Sequence, residues 1–290
     1  MKNVTQSGER KFSIIIPTWN NLEYLKLCID SINKNSHFNH QIILHINEGL
    51  DGTKEWAEKS GIDFSYSSHN AGVCYGMNSA RTLVETDYIL YMNDDMYVCP
   101  DWDLYLWEEI EKIGHLYFFL SATMIERPLK SGNVAVILAD YGDSYNTFEE
   151  KKLLQEFSQL EKGDWNGATR PPNIVHKQIW DLVGGYSIEF FPGMYSDPDF
   201  SMKLYNAGIR IFKGVGKSRV YHFVSKSIEK LNSKNNGRHQ FIQKWKMSAN
   251  TFYFKWLKIG TPYSGEISEA NNKIDLLEQV ENWIKRKIWS

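Results

Sequence analysis

Cysteine is scarce in this chain. Of 290 residues only Cys28, Cys74 and Cys99 are cysteines, and no two of them form a CxxC pair. An odd number without close spacing offers neither a disulfide framework nor a zinc site, and it fits a reducing compartment. Long apolar runs are also missing: no stretch approaches the ~18 consecutive apolar residues of a membrane span, and Met1 to Gly8 carry no apolar segment after Lys2. The expectation is a cytoplasmic protein, either free or held peripherally at the inner face of a membrane. There is no strong basic excess, the formal net charge being −2, so nucleic acid is not an expected partner. Glycine-rich phosphate loops are lacking as well. Gly214-Val215-Gly216-Lys217-Ser218 imitates the end of a P-loop, but Ile211 stands where that motif requires glycine, and no GxGxxG follows a strand.

What is present is enough apolar residue, 42% of the chain, to bury one large core or two modest ones. Residues 12–16, Phe-Ser-Ile-Ile-Ile, read as a buried strand closed by Pro17, and 22–32 as an amphipathic helix with Leu22, Leu25, Ile29 and Ile32 on one stripe. Residues 41–46 form a second buried strand. A helix follows the Asp51-Gly52-Thr53 turn, then a strand at 62–66, a helix at 73–84 and a strand at 88–92. This alternation predicts a doubly wound α/β unit whose ligands bind beyond the carboxyl ends of the strands. Past Pro100 the pattern loosens into a Trp-rich helix at 102–113, apolar stretches at 116–123 and 134–138, and a charged helix near 149–160. From about residue 228 the chain reads as helical. The last stripe, Leu277, Val280, Trp283, Ile284 and Ile288 with Lys285-Arg286-Lys287 nearby, is expected to pack on its own protein or a second subunit before a membrane surface. Charge is uneven: residues 226–290 hold 12 Lys/Arg and 6 Asp/Glu, a net of +6, leaving −8 on residues 1–225. That split hints at an anionic surface or acceptor.

The most telling segment is Tyr88-Ile89-Leu90-Tyr91-Met92-Asn93-Asp94-Asp95-Met96, an apolar strand running into an acidic knot. Hard cations such as Mg2+ and Mn2+ take one or two protein carboxylates and complete their shell with phosphate oxygens and water. If the chain stays extended, Asn93 and Asp95 share a face and Asp94 points away, which makes Asp95 the direct ligand. Asn-Asp-Asp is also ordinary turn chemistry.

Four pieces in order, Ile14-Ile15-Ile16-Pro17-Thr18-Trp19-Asn20, Asp51-Gly52-Thr53, Asn70-Ala71-Gly72 with Asn78, and Asn93-Asp94-Asp95, resemble the family 2 glycosyltransferases of GT-A fold. Gly184-Gly185-Tyr186 and Ser196-Asp197-Pro198-Asp199 are similar to the family's Gly-Gly-aromatic segment and its Glu-Asp-x-Asp motif, and His222 stands where many members place a histidine near the metal. The resemblance covers about residues 11–225. It implies a mostly parallel GT-A sheet, with a nucleotide-sugar half at 11–100, an acceptor and catalytic half at 101–225, and a C-terminal helical extension at 226–290. Pro17, Thr18 and Trp19, Asn47 and Glu48, Asn70, Gly72, Asn78 and Arg81, and Asn93 and Asp94 are the implied donor-binding residues. Asp95 and His222 are the implied ligands of Mn2+ or Mg2+, imidazole favouring Mn2+. Asp197 is the implied general base, with Asp199 competing. Departures are present: Asn47-Glu48 replaces an aspartate that reads the donor base, Asn93 replaces the first acid of the metal motif, Ser196 replaces a glutamate, and no QxxRW-like segment follows, which argues against a processive synthase.

The implied activity is metal-dependent, inverting transfer of a sugar from a nucleotide diphosphate, a UDP-sugar for preference, to a glycan or lipid-linked glycan in surface-polysaccharide assembly. Trp165-Asn166-Gly167, Trp180, Phe191-Pro192-Gly193 and Tyr195 are candidates for stacking on acceptor sugars, with some of them expected in the core. A sugar nucleotidyltransferase would need a Gly-rich basic loop after the first strand, and Pro17-Thr18-Trp19-Asn20-Asn21 is not one. A non-catalytic glycan-binding protein has no use for Asp95, Asp197 and His222 together.

Overall fold

The computed structural model describes residues 9–128, 134–224, 236–268 and 276–288. Its centre is a ten-stranded mixed sheet. In chain order the strands are β1 (Ser13–Trp19), β2 (Gln41–Asn47), β3 (Asp63–Ser67), β4 (Tyr88–Tyr91), β5 (Met96–Val98), β6 (Phe118–Glu126), β7 (Ile137–Leu138), β8 (Trp165–Asn166), β9 (Asn173–His176) and β10 (Ile211–His222). Across the sheet they run β3-β2-β1-β4-β9-β6-β10-β5, with β7 on β6 and β8 on β10. The β3-β2-β1-β4 block is parallel, as are β6 and β10, while β9, β5 and β8 pair antiparallel.

The helices are α1 (Leu22–Asn35), α2 (Thr53–Ser60), α3 (Gly72–Ala80), α4 (Trp102–Ile113), α5 (Glu150–Glu156), α6 (Lys177–Val183), α7 (Ser196–Asn206), α8 (Gly237–Trp245) and α9 (Leu276–Ile288). They cover both faces, as a buried parallel block requires. On one face Leu25, Ile29 and Ile32 of α1 join Trp102, Leu106 and Ile110 of α4 against Ile14, Ile16 and Leu90. On the other, Cys74 and Met77 of α3, Trp180 of α6 and Phe200 of α7 pack on Ile15, Ile43 and Phe119.

β1 does not close at Pro17 as the sequence suggests. It pairs with β2 through Trp19 but with β4 only through Ile15, so Pro17 sits where one flank has no neighbour and its missing N–H costs no ladder bond. The region after residue 228 is helical only in part: α8, a π-helical turn at Thr251–Trp256 and α9 are separated by irregular chain, with Pro262 bridging to Trp165. Part of that region, 225–235 and 269–275, lies outside the described residues, as do the side chain of Ile288 and Trp289. The stripe on α9 does not pack on its own protein. Its members Leu277, Val280, Trp283 and Ile284 are exposed, whereas Asn282 is buried.

Candidate active site

The ends of β1, β2, β4, β6 and β10 and the start of α7 converge on a cavity of about 900 Å3. Pro17, Thr18, Trp19, Asn47, Asn70, Gly72, Asn93, Asp94, Asp95, Asp197 and His222 all line it.

The acidic knot is a turn and not an extended strand, because β4 stops at Tyr91 and the chain reverses through Asp94 and Asp95 into β5. Alternation of faces therefore does not apply. Asp94 accepts hydrogen bonds from Thr18 Oγ1 at 2.7 Å and Asn21 Nδ2 at 3.0 Å, so its carboxylate clamps the first loop to the turn. Asp95 faces His222, Oδ1 lying 3.4 Å from Nε2. Strand register makes this meeting: β5 runs antiparallel to β10 with Met96 opposite His222, and the Phe223 amide donates to the Asp95 carbonyl at 3.1 Å.

Behind His222 stands Glu126, the last residue of β6, with Oε1 2.8 Å from Nδ1. Burial disfavours the charged imidazole, but Asp95 and Glu126 outweigh it and raise His222 to about 10. A Glu126-bound Nδ1–H turns Nε2 toward Asp95, the arrangement in which a carboxylate orients a metal-binding histidine. Among the described residues no group of three or more His, Cys, Asp or Glu could hold a metal by itself. One carboxylate and one imidazole fit Mn2+ better than Mg2+, leaving the other positions to diphosphate oxygens and water.

The donor candidates divide by what their side chains hold. Trp19 is fixed at the cavity wall because its indole N–H donates to Glu48 Oε2 at 2.8 Å, and Asn20 Nδ2 reaches the same oxygen at 2.9 Å. Glu48 itself is outside the lining and acts as an anchor. Asn47 Oδ1 accepts from the Ala71 amide at 2.8 Å and Ser67 Oγ at 3.2 Å, and its Nδ2 points to the Thr18 carbonyl at 3.4 Å. Its amide is thus engaged in holding the loops together at the cavity wall. Asn70 Oδ1 receives the Gly72 amide at 2.9 Å and starts α3. Gly72, at φ +78°, allows the close approach of Pro192: a Cβ there would lie 2.8 Å from Phe191 Cδ2 and 2.9 Å from the Pro192 carbonyl oxygen.

Asn78 and Arg81 are not brought to the cavity. Both ends of the Asn78 amide bond the Tyr186 backbone, at 2.7 and 2.9 Å, and Arg81 forks onto Asp181 at 3.0 and 2.6 Å. They hold the Gly184-Gly185-Tyr186 segment and α6, so a donor contact from either would require breaking those bonds.

At the start of α7 the two candidate bases part company. Asp197 lines the cavity and, although partly open to it, is enclosed by protein; that desolvation raises its carboxyl to about 7 against a lowering by the Arg170 guanidinium. The dipole at a helix start would lower it, so burial is the stronger effect. Asp199 is wholly buried, with Oδ1 taking Trp245 Nε1 and Lys244 Nζ at 2.8 Å each. It does not line the cavity, and a substrate hydroxyl would have no route to it.

Among the acceptor candidates Pro192, Gly193 and Tyr195 line the cavity, whereas Trp165 and Trp180 are core residues. Trp165 lies on Gly214, where a Cβ would come within 1.8 Å of its ring, and donates to Thr123 Oγ1 at 2.8 Å. The segment that imitated a P-loop is simply the middle of β10.

The same cavity is walled by Glu126, Arg170, Tyr253 and Phe254, none of which the sequence singled out as site residues. Tyr253 and Phe254 come from the π-helical turn, a conformation common at functional sites. The cluster of aromatic residues at 252–256 is a signal readable in the sequence, but one that fixes no place in the fold. Glu126 had none, since its partner is fixed only by strand register.

Residues 13–159, half of the chain, match the model of glycosyl transferase family 2. The chain belongs to that family. It is a glycosyltransferase of GT-A fold, and solved structures agree on the fold. S. aureus TarS 1-349 superposes with a TM-score of 0.55 at 16% identity, over 95% of this chain and 78% of that one. The same protein in complex with UDP-GlcNAc gives 0.54 at 16% identity, over 95% and 79%. GalNAc-T7 with UDP, GalNAc and Mn2+ gives 0.58 at 13% identity, over 86% of this glycosyltransferase but 51% of its own chain. At such identities the likeness concerns fold alone. Comparison with curated proteins finds no match.

Proposed function

We propose that this glycosyltransferase moves a sugar from a nucleotide diphosphate, a UDP-sugar, to a hydroxyl of a glycan or lipid-linked glycan, with inversion at the anomeric carbon and one sugar per encounter. Two structural neighbours are described with UDP or UDP-GlcNAc and one of them with Mn2+, which favours that donor and metal. The observation that carries the reading is that a carboxyl raised to about 7, Asp197, shares one cavity with the Asp95–His222 pair.

In this mechanism Trp19 and the loop tied together by Thr18, Asn47 and Asp94 seat the nucleotide. Asp95 and His222 would hold Mn2+, which when bound neutralises the departing diphosphate. Asp197 accepts the proton of the acceptor hydroxyl as its oxygen bonds to the anomeric carbon from the face opposite the diphosphate. The C–O bond to the diphosphate breaks in the same displacement, the electron pair leaves with the nucleotide, and no glycosyl-enzyme forms. Pro192, Gly193, Tyr195, Tyr253 and Phe254 supply the wall against which an acceptor sugar would rest. The setting we assign is surface-polysaccharide assembly in the cytoplasm, with residues 11–100 as donor half, 101–225 as acceptor half and 226–290 as an extension that closes the acceptor side.

The test is release of UDP from a panel of UDP-sugars, with Mn2+ and with candidate glycan or lipid-linked acceptors. Acceptor-stimulated release that is lost in Asp197→Asn is expected. Tight UDP binding with no release from any donor would favour a sugar-nucleotide-binding protein.

A further inference from the structure

Helix α9 turns its sides the wrong way for a helix that stabilises its own protein. Leu277, Val280, Trp283 and Ile284 are 83%, 48%, 56% and 42% exposed, while polar Asn282 is 2% exposed. The inward side is held by polar bonds: Asn282 Oδ1 accepts from the Ser248 amide at 3.2 Å, and Gln243 Nε2 of α8 donates to the Arg286 carbonyl at 3.2 Å. A helix docked through its polar side leaves its apolar stripe to a partner. Its last turn carries Lys285, Arg286 and Lys287.

We infer that this face of α9 docks the enzyme onto a bilayer surface containing anionic lipid. Three observations select that occupant. The stripe is small: a helix of 13 residues is ~20 Å long, and one face of it falls well short of the ~800 Å2 per partner that a stable dimer buries. Charge also selects it. Residues 226–290 carry a net +6, which repels a second copy of the same segment and attracts anionic headgroups. Finally, Trp283 is an amphipathic ring of the kind that settles at headgroup depth, and lysine stems can lie along the apolar face with their ammonium groups in water.

Docking by α9 has a consequence for the site. Ser248, which Asn282 holds, immediately precedes Ala249 and Asn250 of the cavity wall. Docking therefore brings that wall close to the lipid surface, where a lipid-linked acceptor would be found. The docking itself does not depend on the transfer reaction.

The experiment is cosedimentation of the full chain with phosphatidylcholine vesicles, with and without phosphatidylglycerol, alongside sedimentation velocity without lipid. The wild type should bind the anionic vesicles about tenfold more tightly than the neutral ones, and high salt should weaken that binding. Trp283→Asp with Ile284→Asp, both exposed, should abolish binding with an unchanged melting temperature, and Lys287→Glu should weaken it. Equal binding by wild type and double variant would overturn the proposal. So would a concentration-dependent dimer that the double variant dissolves without vesicle binding, which would assign the face to a second copy. A monomer that ignores both vesicles would overturn it as well.

Discussion

Asp197 and Asp199 begin the same helix two residues apart and occupy opposite environments, the first on the cavity, the second sealed beneath it and bonded to Lys244 and Trp245. Asp197→Asn should leave UDP affinity within twofold and lower the transfer rate by about 10²–10⁴-fold, the range of a lost general base. Calorimetric binding and initial rates check this, and near-normal turnover would remove Asp197 from the reaction. Asp199→Ala should instead unfold more easily, by about 2–4 kcal/mol, because Lys244 loses a buried partner while keeping Glu189. Thermal melting reads that difference.

On the proposed mechanism, protonation of Asp197 should give the enzyme a pH dependence. With its carboxyl raised to about 7, the base is mostly protonated below neutrality, and the rate should fall about tenfold per pH unit as pH drops from 6 to 5. A flat profile there would exclude it as the base.

The same shift has the opposite sign for stability. A carboxyl whose folded value lies above the unfolded ~3.9 destabilises the fold above pH 7, and that cost disappears as pH falls from 7 toward 4. Asp197→Asn should therefore be more stable than wild type at pH 8, by about 1–3 kcal/mol after allowing for the partial opening to solvent, and equal to it near pH 4. Denaturant melts at the two pH values decide it.

Mn2+ dependence should pass through Asp95, His222 and Glu126. Asp95→Ala should abolish the strengthening of UDP binding by Mn2+, and Glu126→Gln should weaken the apparent Mn2+ affinity about 10–100-fold, as loss of an orienting carboxylate does at metal–histidine sites. Titrating Mn2+ into protein with saturating UDP measures both.

Gly72→Ala should damage stability and donor binding together. Positive φ alone costs about 1 kcal/mol, and the new methyl must displace Phe191 and Pro192, whose carbonyl receives the Val73 amide at 2.9 Å. A variant with wild-type melting temperature and UDP affinity would contradict the close approach.

The elements up to residue 113 were legible because they are local and strongly periodic. Isoleucine runs at 14–16 and 42–43 mark buried parallel strands, and 102–113 reads as a helix from its apolar spacing. Asp95 stood out in the acidic knot after the fourth strand, but Asp197 and His222 could be singled out only through a family resemblance, since nothing in the spacing brings the three together. What could not be read depends on pairing between distant segments. Glu126 faces His222 because β6 lies beside β10, and Asp94 binds Thr18 because β4 lies beside β1. The partners of Asn47, Asn78 and Arg81 were illegible for the same reason, being backbone or carboxylate groups that only the fold reveals. Extended-chain alternation also misled at Asn93–Asp95, where the backbone turns.

The antiparallel seam between β5 and β10 joins the turn after the fourth strand to the end of the last strand, so neither Asp95 nor His222 has its counterpart until almost the whole sheet has closed. Such non-local pairing forms late because loop closure must precede its reward. A chain folded only through β1 to β4 would hold the first loop and the acidic turn but not His222, Glu126 or Asp197. On the proposed mechanism, sugar-nucleotide chemistry would in this way be withheld from incomplete or partly folded chains, and appearance of Mn2+-dependent UDP binding during refolding would serve as a clock for completion of the sheet.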